Sequence, residues 1–151
     1  MDEIDRDTAL GVIERGEVAH VAVIDADGPY VSPVSYAIVG DHLVFVTRRG
    51  RRFLALRHDP RVCIEVTETS DVGWRSALVE GEARFVTGEA MHTEAIQSLL
   101  HKYQDGGEAT LLGTSRSPGP DLTEVVAVPL DRVTGRSSGE GTHRRTRPGR
   151  L

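Results

Sequence analysis

Thr47-Arg48-Arg49-Gly50-Arg51-Arg52 stands between an apolar, strand-like run and a short segment that reads as helical. Those residue types can hold an anion. Arginine presents a planar fork that matches phosphate oxygens two at a time. Glycine lets backbone approach a ligand closely, and a helix start exposes N–H groups at the positive end of its dipole. Thr47 adds a hydroxyl. The pattern predicts a phosphate cradle for a small ligand; a solvated basic loop accounts for these residues equally well.

The rest of the chain makes this cluster conspicuous. The 151 residues carry 18 Lys+Arg against 23 Asp+Glu, a formal −5. Four of the arginines lie after position 136, so residues 1–136 hold 14 basic and 22 acidic side chains, a formal −8. A body that acidic lacks the basic footprint of a nucleic-acid or anionic-membrane binder. The single cysteine, Cys63, rules out an internal disulfide and sits in an apolar run as a small packed hydrophobe. No apolar stretch reaches the length of a membrane span, and the acidic start is no signal peptide, so a cytoplasmic protein is expected.

Other chemistry-bearing residues are sparse. The strand "SPVSY" (32–36) sets proline beside small hydroxyls and an aromatic ring, and can offer backbone donors and acceptors to a flat heterocycle, although an ordinary edge strand is the commoner reading of such a stretch. Trp74, the one tryptophan, could border a planar ring, although core or interface packing is the commoner use. The six histidines show no metal-ligand spacing. No Gly-x-Ser-x-Gly elbow, Walker loop or Gly-x-Gly-x-x-Gly fingerprint is present.

The elements that must position these residues are mostly strands. A short helix is expected from Asp7-Thr8 to Gly16, then strands over 18–24, 29–39 and 42–46, with "DADG" as a hairpin turn and Pro33 at a bulge or edge. A one- to two-turn helix at 51–57 stops at Pro60, and a strand follows at 61–68. A long alternating strand is expected over 74–86, bent at Gly81, and a helix over 87–103 with Thr87 as its cap. Residues 105–120 read as a Gly/Ser/Pro loop, and 122–135 as a last strand interrupted at Pro129. The arrangement predicts a mostly antiparallel barrel whose sheet packs against a copy of itself. One domain spans 1–136, and 137–151 forms a disordered basic tail.

Taken together, "DGPYVSPVSYAIVGDHLVFVTRRGRRFLALRHDPRVCIEV" and "GWRSALVEGEARFV" resemble the pyridoxamine 5'-phosphate oxidase-like flavin-binding split barrels, the nitroimidazole-resistance-type branch above all. The resemblance implies a homodimer of six-stranded antiparallel split β-barrels with a few flanking helices. It further implies FMN in clefts between subunits. Its phosphate would lie at Thr47, Gly50, Arg51 and Arg52, leaving Arg48 and Arg49 as surface charge. The ring edge would be read by backbone at Pro33, Val34, Ser35 and Val46, with Trp74 and Ser76 contributed by the other subunit. Many members of the branch carry histidine where this chain has Val46, so no catalytic side chain is assigned. The function implied is an FMN-dependent oxidoreductase moving a hydride to or from a small-molecule substrate. A deazaflavin cofactor is the alternative to FMN, and a non-catalytic flavin or haem carrier or sensor is the alternative to an enzyme.

Overall fold

A computed structural model describes residues 1–103 and 123–139; the expected loop at 105–120 and the tail beyond 139 lie outside them. The elements follow as β1 (Asp2–Ile4), α1 (Arg6–Arg15), β2 (Ala19–Asp25), β3 (Gly28–Val34), β4 (Tyr36–Val39) and β5 (His42–Arg48). Then come α2 (Arg51–His58), β6 (Arg61–Ser70), β7 (Gly73–Glu82), β8 (Arg84–Phe85), α3 (Glu89–Lys102), β9 (Thr123–Pro129) and β10 (Arg132–Ser137). Every pairing is antiparallel. One sheet has the order β1-β10-β7-β6-β2-β3 and the other β4-β5-β9-β8. Among the described residues the protein is therefore mainly β with three helices, and the sheets do not close into a barrel. The expected count of six strands becomes ten.

One addition is β1, an edge strand paired with β10 that was not expected. The other three have a local cause, because three stretches that read as continuous strands each change sheet. Residues 29–39 divide at Ser35, so β3 is an edge strand of the large sheet while β4 opens the small one. Pro33 accordingly sits on an edge, where a missing N–H costs no ladder bond. Residues 74–86 divide at Ala83, whose N–H turns to Pro60 O at 2.8 Å; Gly81 stays in register opposite Val62. The third division follows Pro129, as the proline predicts.

Helix α1 is capped by Asp5, whose Oδ1 accepts the Thr8 N–H at 2.7 Å, two residues before the expected start. It buries Ala9, Val12 and Ile13 between the sheets. Phe45, Tyr36, Leu43 and Ile64 share that core, each worth about 1.5–3 kcal/mol of burial. A second cluster lies on the far side of the small sheet, where Ala95 and Leu99 of α3 cover Val44, Val46 and Val125. The cap of α3 is Gly88, with no side-chain bond from Thr87. Strand β10 runs two residues past the expected strand end at 135 and one past the expected domain boundary at 136, to Ser137 opposite Arg75. No described helix is long and apolar enough to cross a membrane.

Candidate anion-binding site

The site lies where the two sheets part. The ladder between β4 and β5 ends at the pair Tyr36–Phe45, and beyond it β3 leaves for the other sheet while β5 continues to Arg48. Arg52, in the first turn of α2, bridges that parting. Its Nε donates to Ser32 Oγ at 3.0 Å, one terminal nitrogen donates to Thr47 Oγ1 at 3.0 Å, and the other reaches Pro33 O at 3.3 Å. All three acceptors are uncharged, and no carboxylate pairs with Arg52 among the described residues. Burial pulls its guanidinium below the ordinary arginine range, partly offset by Tyr30. A half-buried, uncompensated cation is costly unless an anion joins it.

Thr47 is 1% exposed. Its hydroxyl hydrogen turns to Arg48 O at 3.1 Å while its oxygen accepts from Arg52, so its role is to place the guanidinium. Val46 points the opposite way, into the cluster under α3, leaving only its backbone toward the site. Gly50 caps α2 with no side-chain bond to the first N–H groups. A Cβ on Gly50 would meet nothing within 4 Å, so the approach to the helix start is open.

The neighbouring arginines differ. Arg51 donates through Nε to Asp25, and its guanidinium lies 4.1 Å from the centre of the Tyr30 ring. The Arg51 bond, then the Asp27 N–H, holds the Asp25 carboxyl below its usual range. Arg49 pairs with Glu124 at 2.7 Å, and Arg48 is exposed. Of four arginines, two are matched by carboxylates, and Arg52 carries the charge into the fold.

Pro33, Val34, Ser35, Val46, Thr47, Gly50, Arg51 and Arg52 thus gather at one place. Trp74 and Ser76 do not. Pro33 shares a row with His20, Glu65 and Leu78, whereas Trp74 lies three strands across and four residues along, roughly 20 Å away. Trp74 is 36% exposed at the start of β7, its backbone tied to Ser138. Ser76 Oγ donates to Glu65 at 2.9 Å on the outer face of the large sheet. Burial works to raise the Glu65 carboxyl, but hydrogen bonds from Thr67, Ser76 and His20 hold it below its usual range. Cys63 shares that face, its thiol pushed up by burial and by Glu80 and Glu65.

Sequence reasoning missed Ser32, Tyr30, Asp25 and Glu124 as members of the site. Ser32 had a signal, since it lies in the quoted SPVSY strand one residue before Pro33. The two acids had none, because each meets its arginine only once distant segments pack together, Asp25 where α2 lies on β2 and Glu124 where β9 pairs with β5.

Residues 5–137 match the family described as pyridoxamine 5'-phosphate oxidase. The chain belongs to that family. A relative from Rhizobium meliloti (strain 1021), the uncharacterized protein RA0666, is 28% identical over 144 residues, covering 90% of this chain and 94% of its own. Among solved structures, an FAD-binding protein from Mesorhizobium loti superposes with a TM-score of 0.71 at 24% identity, covering 92% of this chain and 97% of that one. A candidate 5-nitroimidazole antibiotic resistance protein from Bacteroides thetaiotaomicron gives 0.74 at 22% identity, covering 90% and 86%. The family's fold is the two-sheet arrangement described above.

Proposed function

We propose that the chain is an FMN-binding flavoprotein, acting as a homodimer and transferring a hydride to or from a small molecule. The observation that carries the reading is Arg52, whose half-buried charge meets only neutral oxygens and stands beside an uncapped helix start. The residues fit a phosphate monoester. An arginine has five N–H groups and three are committed here, which leaves donors for phosphate oxygens together with the first amides of α2. The fold neighbour from Mesorhizobium loti is an FAD-binding protein, which supports a flavin as the bearer of that phosphate.

In this reading Arg52 and the α2 amides hold the phosphate, while Thr47 and Ser32 fix the guanidinium. Backbone at Pro33, Val34, Ser35 and Val46 borders the ring, and Arg51 flanks the phosphate. The separation of Trp74 from Pro33 within one chain favours delivery of Trp74 and Ser76 by the partner subunit, across the outer face of the large sheet. FMN, when bound, supplies the redox chemistry, and this chain supplies position, charge and exclusion of water.

The test is the absorbance spectrum of freshly purified protein, followed by titration with FMN, FAD, riboflavin and a deazaflavin while mass is followed by light scattering. A yellow dimer that prefers FMN and bleaches with a nicotinamide donor supports every part. Bound flavin that no nicotinamide donor reduces leaves a carrier or sensor. A protein that takes up no flavin overturns the reading.

A further inference from the structure

We infer that Asp25 competes with the ligand's phosphate for Arg51, and so acts as a positioning residue that limits how tightly the cradle holds a phosphate monoester. The inference rests on the phosphate site proposed above.

Asp25 closes β2 opposite Gly28, at the mouth of the β2–β3 hairpin. One carboxylate oxygen accepts the Asp27 N–H at 2.7 Å and the other accepts from Arg51 Nε. The carboxylate is only 12% exposed, against 51% for Arg51, so it is the better fixed of the two partners. Tyr30 and Ser32 are two residues apart on one face of β3, and Arg51 lies over the first while Arg52 bonds the second. The two guanidinium groups are therefore neighbours, roughly 7 Å apart along the strand. Of the two, only Arg51 has a carboxylate partner among the described residues.

A carboxylate and a phosphate recognise the same fork of N–H donors. The Nε of Arg51 donates to Asp25, and the aromatic ring of Tyr30 lies 4.1 Å from the guanidinium carbon. Arg51 sits at the first position of α2, where helix amides converge on any bound anion. A phosphate there meets an arginine already neutralised, and the Asp25 charge opposes its own charge of about −1.5 to −2. Removing the Asp25 charge while keeping its acceptor oxygen should release Arg51 to the phosphate.

The experiment measures FMN and riboflavin affinity for the full chain, Asp25→Asn, Arg51→Ala and the double variant, at low and high salt. Asn retains an oxygen for the Asp27 N–H. Asp25→Asn should bind FMN about threefold to tenfold tighter at low salt, with less gain at high salt. Riboflavin, which has no phosphate, should be indifferent, and Arg51→Ala should abolish the gain. Unchanged or weaker FMN binding, or an equal gain for riboflavin, overturns the inference. If Asp25→Asn does not fold, Asp25→Ser keeps a hydroxyl acceptor; failure of both assigns Asp25 to the hairpin alone and overturns it too. FMN binding that is lost on Arg52→Ala but indifferent to Asp25→Asn defeats this inference and leaves the cofactor reading standing. Absence of any FMN binding by the unmodified chain defeats both.

Discussion

Arg52 donates to Thr47 Oγ1 at 3.0 Å, across five residues that contain a strand end, a glycine and a helix start. That bond couples the two elements whose junction forms the proposed anion site. Thr47 is buried and fully engaged, so it holds the arginine in one rotamer against the loss of side-chain entropy. A bound phosphate then meets a donor already in place.

Arg52→Ala should weaken FMN binding by about 1.5–3 kcal/mol, the scale of a hydrogen bond to a charged group. That is about ten- to hundredfold in Kd. Flavin fluorescence titration reads it, with riboflavin as the control that should barely change. Equal FMN affinity would show that the phosphate lies elsewhere.

Trp74 is the only tryptophan, so its emission is an unmixed signal. FMN binding should quench it in proportion to site occupancy. Mixing Arg52→Ala chains with Trp74→Ala chains should restore one intact site per heterodimer, if each site draws on both subunits. Mixtures no better than either variant alone would place Trp74 outside the site.

Gly16→Ala should destabilise the fold by about 1–3 kcal/mol. A Cβ there would collide with the Tyr36 hydroxyl and come within 2.5 Å of Val66 Cγ1. Its φ of −70° is ordinary, so the restriction is packing and not backbone conformation. Urea unfolding measures it; an unchanged midpoint would mean that α1 shifts freely.

Stability should rise with pH from about 8, level off near 9 and fall above about 10. Burial pulls Lys102 down to about 8, against about 10.4 in the unfolded chain. Between those values the unfolded chain binds more protons, so deprotonation favours the folded state. The Tyr36 ring, 3.7 Å from the ammonium, favours the charged form and keeps the rise modest. Burial raises the Cys63 thiol, Tyr36 and Tyr103, so from about 9 for the thiol and about 10 for the phenols the unfolded chain loses protons that the folded one keeps. Lys102→Met should abolish the rise and leave the fall. Denaturant midpoints at pH 7, 9 and 10.5 decide it.

The sequence by itself determined the mainly β class, the hairpin at Asp25–Gly28, the helix after Gly50 and the division at Pro129. Each depends on neighbours in the chain: alternation, turn residues and proline chemistry act over a few positions. It also brought Thr47, Gly50 and Arg52 together as one candidate cradle, because all three lie within six residues. Only the tertiary structure decided that 29–39 and 74–86 change sheets, since alternation reads alike whichever sheet a strand joins. It decided as well which arginines are matched by a carboxylate. Asp25 meets Arg51 over 26 positions and Glu124 meets Arg49 over 75, contacts created by helix packing on β2 and by the pairing of β5 with β9, and invisible to local spacing. Coulomb attraction depends on distance in space, and for this site that distance is set by the fold.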